Sequence, residues 1–81
     1  MFYTYILYSE QYDMYYIGQT QNVEERFDRH NTGKVISTSK HRPWKLLLSI
    51  EKPTRSAAME LEKKLKNLSK DRKAAFIEKY G

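Results

Sequence analysis

Two aromatic segments, Thr4-Tyr5-Ile6-Leu7 and Tyr15-Tyr16-Ile17-Gly18, are followed eight residues after Gly18 by Arg26 and twelve after it by His30. A phenol whose ordinary pKa is near 10 accepts a proton from water only where positive charge favours the phenolate, and an arginine supplies such charge. On a helix Arg26 and His30, four apart, point the same way. On residue type alone the same side chains also read as sheet-packing tyrosines, a surface arginine and a histidine closing the edge of a core. Other chemistries drop out. With zero Cys and two His there is no metal-spaced cluster, no glycine-rich phosphate loop occurs, and no serine sits in a nucleophile-elbow context beside His30 or His41.

The elements that must position these residues follow from pattern. Residues 2–9 are β-branched and aromatic almost throughout and Met14 to Gly18 repeats the character after a short polar break, which predicts a hairpin. The first strand is nearly continuously apolar, so it is expected to be central and covered on both faces, with the second as its edge-ward partner. Asn22, with Glu25 three residues on, predicts a capped helix from Val23 to about Asn31, stopped by Gly33. Its apolar stripe is Val23 and Phe27, with Arg26 and His30 on the flank toward the sheet rim where Tyr16 ends. Residues 34–43 have no period and read as an exposed basic loop. Trp44 to Ile50 gives a third strand, and Pro53-Thr54 breaks it. Ala57, Ala58, Leu61, Leu65 and Leu68 recur at helical spacing from Ser56, and Ser69 caps a last helix, Lys70 to Lys79. The expected fold is α+β, a three-stranded antiparallel-type sheet packed by helices in the order β-β-α-β-α-α, as a single domain over residues 1–81. On the long helix Glu60 and Glu62 flank Leu61 at roughly +100° and −100°, so periodicity does not choose between them.

The tyrosine segments, with Arg26, His30 and a glutamate on the long helix, resemble the GIY-YIG domain, in particular its short stand-alone group similar to the N-terminal nuclease domain of the UvrC repair subunit. The resemblance runs from Tyr3 to about Leu68. Tyr16-Ile17-Gly18 keeps the second element of the motif, while the first reads Tyr3-Thr4-Tyr5 and retains only its last tyrosine. It implies that Tyr5 and Tyr16 are active-site tyrosines, one of them assisting the attacking water. It also implies that Arg26 stabilises the phosphate, that His30 stands where the family has His or Tyr, and that Glu62 binds one divalent cation, Mg²⁺ or Mn²⁺. Where many members carry an asparagine about a dozen residues after the glutamate, this chain has Ala74. Such chemistry is coherent, because a hard cation needs only one or two carboxylates when phosphate oxygens and waters complete its shell.

Charge points to a polyanionic partner. Residues 1–33 hold five acids against two bases, and residues 34–81 hold thirteen bases against five acids. Between Gly33 and Ile50 there is no acid, only Lys34, Lys40, Arg42 and Lys45 with His41. With Lys63 and Lys66 on the long helix, these are the expected phosphate contacts, although the run from Lys63 to Lys73 reads equally as a solvated face. No apolar run approaches the roughly 20 residues of a membrane span, and the N-terminus lacks a signal-peptide pattern, so a cytoplasmic location without membrane association is expected. The expected function is metal-dependent hydrolysis of DNA phosphodiester bonds by a monomer, in DNA repair or recombination. Intrinsic sequence specificity is expected to be low, leaving room for a protein partner to supply it. The alternatives are a non-catalytic nucleic-acid-binding module on the same fold and a small interaction domain whose basic face meets an acidic protein.

Overall fold

The computed structural model describes residues 1–81. Strands β1 (Phe2–Ser9) and β2 (Met14–Thr20) are followed by helix α1 (Val23–Asn31), a 3-10 helix (Ile36–His41), strand β3 (Lys45–Lys52), and helices α2 (Arg55–Lys66) and α3 (Lys70–Tyr80). The sheet has the order β2-β1-β3 with both pairings antiparallel. The central place of β1 follows from its composition, since Thr4, Tyr5, Ile6 and Leu7 are all buried and only a strand covered on both faces can bury consecutive side chains. Its alternate residues feed two cores. Ile6, with Ile17, Leu48 and Leu65, meets the partly buried Leu61, Leu68, Phe76 and Ile77 of the α2–α3 side. Tyr5 and Leu7 pack with Trp44, Tyr16 and Phe27 on the α1 side.

The hairpin turns through Asp13, which takes φ 53°, a left-handed conformation that aspartate tolerates. The Asp13 carboxylate accepts from the Tyr8 hydroxyl at 2.7 Å and pairs with Lys70, tying the start of α3 to the turn. Between Ile6 and Leu7 the pairing with β3 slips past Leu47, a bulge that bends the strand. Asn22 caps α1 by accepting from the Glu25 backbone N–H at 3.1 Å. The reciprocal half of a capping box is replaced by Thr20, whose hydroxyl accepts from the Asn22 N–H at 3.1 Å. Thr54 caps α2 and Ser69 caps α3 through side-chain oxygens that accept from the third residue on.

Residues 34–43 depart from the expected loop. The 3-10 helix within them turns Thr38 inward, 1% exposed, while Ile36 points out. A six-residue 3-10 helix leaves no readable period, and here one hydroxyl rather than an apolar stripe anchors it. No helix is long and apolar enough to cross a membrane.

Candidate active site

The hairpin register sets Tyr5 opposite Gly18 and Leu7 opposite Tyr16, so both site tyrosines lie on the sheet face that receives α1. Gly18 is required there by Tyr5 itself: a Cβ at Gly18 would come within 2.5 Å of the Tyr5 hydroxyl and 2.7 Å of Cζ. The phenol lies directly across the glycine and reaches His30, the one fully buried residue of α1. Tyr5 Oη and His30 Nε2 are 2.9 Å apart, and His30 Nδ1 lies 2.8 Å from Thr38 Oγ1. Thr38 donates its proton to the Val35 carbonyl at 3.3 Å, so it accepts from Nδ1–H. Nε2 is then the acceptor for Tyr5 O–H. Thr38 is held in turn by Trp44, whose Nε1–H donates to the Thr38 carbonyl at 3.0 Å. Asn31 donates to the Trp44 carbonyl and accepts from the Trp44 N–H, at 3.0 and 2.6 Å. A buried chain of hydrogen bonds thus runs from Trp44 through Thr38 and His30 to Tyr5.

Electrostatics fix the protonation of this chain. Burial pushes the Tyr5 phenol up to about 12, with Tyr16 and Glu62 adding to the rise and the Arg26 charge opposing it. Burial, and then Arg26, hold His30 below its ordinary range, so it is neutral at pH 7 and fit to accept. The charges of Arg26 on α1 and Glu62 on α2 both bear on Tyr5, although the two residues line separate concavities. Tyr16 packs on the same side as His30, its ring centroid 4.7 Å from that of His30 and 6.4 Å from that of Tyr5. Tyr16 is only half-buried, and no hydrogen bond within the protein ties its hydroxyl.

The two glutamates of α2 are separated by the helix's true buried stripe. Ala58 and Leu65 are its fully buried residues, and at 100° per residue Glu62 lies about 50° from their common direction while Glu60 lies about 150° away. The Thr4 hydroxyl donates to the Ala58 carbonyl at 2.7 Å and seats this stripe on β1, one turn before Glu62. Glu60 is exposed. The Glu62 side chain is 21% exposed, and one carboxylate oxygen pairs with Lys66 at 2.8 Å; Glu62 lines a concavity of about 610 Å³ together with Glu60, Lys63 and Lys66. No group of three His, Asp or Glu side chains stands together as a metal cage. The donor set therefore fits a hard cation only as an open site, one carboxylate supplemented by water and substrate oxygens. The partly exposed Lys66 pair is worth at most about 1 kcal/mol and yields readily to a divalent ion.

The basic residues are more dispersed than the sequence suggests. Lys34, Lys40 and Lys63 are exposed. Lys45 pairs with Glu10 of the hairpin turn at 3.1 Å. Arg42 donates from Nε to the Ser39 carbonyl at 2.8 Å, and its guanidinium lies where a Cβ at Gly33 would meet it at 2.9 Å. Sequence reasoning missed Thr38, Asn31 and Trp44, whose roles depend on contacts between separate elements. It also missed Arg29 and Arg55, which line a polar concavity with Arg26. Ala74, at the position of the family asparagine, is exposed on α3.

Known proteins resemble this chain in sequence and in fold. The chain is 31% identical over 83 aligned residues to a UPF0213 protein of Limosilactobacillus reuteri (strain DSM 20016), covering 99% of this chain and 85% of that protein. The solution NMR structure of a UPF0213 protein from Bacillus halodurans matches with a TM-score of 0.61 at 30% identity, covering 96% of this chain and 84% of that one. The family model described as the GIY-YIG catalytic domain matches residues 1–75. Both tyrosine segments, α1 and the Glu62 helix fall inside that match, and the chain belongs to the GIY-YIG family of nuclease domains.

Proposed function

We propose that this chain cleaves DNA by hydrolysing a phosphodiester bond with the help of one divalent cation bound at Glu62. The observation that carries the reading is the packing of Tyr5, Tyr16 and His30 against one another on the α1 side of the sheet, with Arg26 one helical turn before His30 and the charges of Arg26 and Glu62 both bearing on Tyr5. Water attacks phosphorus and the opposite P–O bond breaks. The water's proton is relayed through a tyrosine hydroxyl, which releases its own proton to solvent, and the leaving oxygen takes a proton from solvent. Tyr16 is the tyrosine that meets this water, because its hydroxyl is untied and its ring reaches the open side. Tyr5 keeps its proton on His30 and, with its phenol at about 12, orients the site rather than ionising. Arg26 takes up charge that develops on the phosphoryl oxygens. Mg²⁺ or Mn²⁺, when bound, neutralises phosphate charge and assists the leaving oxygen.

Incubation with supercoiled plasmid and with branched DNA, in Mg²⁺, in Mn²⁺ and in EDTA, tests the proposal. Nicking confined to the metal-containing reactions is expected. Binding without cleavage of any substrate would transfer the chain to the non-catalytic nucleic-acid-binding reading.

A further inference from the structure

Arg26, Arg29 and Arg55 converge on a concavity of about 360 Å³ whose lining contains no apolar side chain. We propose that Arg29 and Arg55 form there, beside Arg26, a subsite for the DNA phosphate adjacent to the one being cut. The inference rests on the nuclease reading for its substrate and adds the residues that hold the flanking backbone. Arg26 and Arg29 leave α1 three residues apart and so share a face, while Arg55 enters from the first position of α2. None of the three guanidiniums ends in a salt bridge, although Glu25 borders the same concavity. Clustered cations that the protein leaves unpaired repel one another and attract an anion.

Arg55 is also oriented. Its guanidinium carbon stands 5.6 Å over the Phe2 ring centroid, a cation–π contact that favours one direction for a long side chain. The same residue borders the concavity that holds Glu62, Lys63 and Lys66. Arg55 therefore stands between the metal-ligand side and the arginine side, and a strand occupying both places successive phosphates along one path. The planar guanidinium fork suits such oxygens bidentately. The ligand is a nucleic-acid backbone rather than a nucleotide, because the arginine concavity offers no aromatic or apolar slot for a base. Contacts of this kind position the substrate without reading sequence.

The test is fluorescence anisotropy of a short labelled duplex in EDTA across a salt series. It compares wild type, Arg29→Ala/Arg55→Ala and Arg29→Lys/Arg55→Lys, with circular dichroism confirming that each is folded. Each lost phosphate contact should make the log–log salt slope shallower by about 0.9, so the alanine pair should lose nearly two units. Its affinity should fall about tenfold per arginine. The lysine pair should keep most of the slope. In the nicking assay the alanine pair should raise KM and leave kcat at saturating DNA unchanged, since neither residue touches the reacting atoms. An unchanged slope and KM in the alanine pair would overturn the subsite. A wild type that binds DNA steeply but cuts nothing would remove the nuclease reading, and the slope comparison would still decide the subsite.

Discussion

Replacing Gly18 by alanine should injure the fold and the site together, because the new methyl meets Tyr5 head-on. The ideal Cβ falls 2.5 Å from Oη, 2.7 Å from Cζ and 3.2 Å from Cε1, the first two shorter than real packing shows. A flexible side-chain tip would yield cheaply, but Tyr5 is 2% exposed and its hydroxyl is anchored on the buried His30. The ring must be displaced, which adds overpacking strain of roughly 1–3 kcal/mol to the loss of a buried hydrogen bond of about 1 kcal/mol. The sum, about 2 to 4 kcal/mol, corresponds in a domain of this size to a fall in Tm of roughly 10 to 25 °C. Thermal unfolding followed by circular dichroism measures it. Tyr5→Phe supplies the second arm: it removes Oη and leaves His30 Nε2 unsatisfied, at a cost of about 1–3 kcal/mol. Because the shortest clash disappears with Oη, the double variant should be less destabilised than the sum of the singles by about 1 kcal/mol. A Gly18→Ala protein that melts within a few degrees of wild type, or strictly additive effects, would refute the account of why glycine stands there.

Thr38→Val keeps the shape of the 3-10 helix's inward residue but removes the acceptor for His30 Nδ1–H, and should cost about 1–3 kcal/mol in urea unfolding, with Thr38→Ser recovering most of it. His30 is depressed in the folded protein, so between that lowered value and its unfolded pKa near 6.5 the unfolded chain binds the extra proton. Stability should be flat above about pH 7 and decline as pH falls below about 6.5, and His30→Gln should flatten that decline. Denaturant titrations across this range check the sign, and a stability that rises on acidification would contradict it. Glu60→Ala, on the exposed side of α2, should leave both cleavage and Tm within error of wild type.

Much of the fold is legible because its signals are local. The nearly continuous apolar run of β1 announces a strand covered on both faces, and Asn22 and Ser69 cap the helices that their sequence positions suggest. The site was legible only as far as spacing reached. Tyr5, Tyr16, Arg26 and His30 sit in the first 30 residues at fixed intervals, whereas periodicity left Glu60 and Glu62 open and only the family resemblance chose Glu62; the structure adds that Ala58 and Leu65, not Leu61, centre the buried stripe of α2. Thr38 reads as part of a polar loop until His30 is placed eight residues away in sequence and 2.8 Å away in space. The Lys45–Glu10 pair and the Arg29–Arg55 cluster join elements that no local pattern connects. Charge counted along the chain accordingly overstated how free the segment after Gly33 would be.

The central claim is that Glu62 holds the cation that makes this chain a nuclease, and the most direct measurement is plasmid nicking by Glu62→Gln beside wild type in Mg²⁺, with DNA affinity measured on both proteins in EDTA. The exchange keeps the side chain's size and removes one negative charge that contributes no attraction to phosphate. Wild type should nick, and Glu62→Gln should lose cleavage by at least about a hundredfold, as expected for disruption of a metal site that stabilises developing charge, while binding DNA as tightly as wild type or slightly more so. Equal nicking rates in the two proteins would contradict the account.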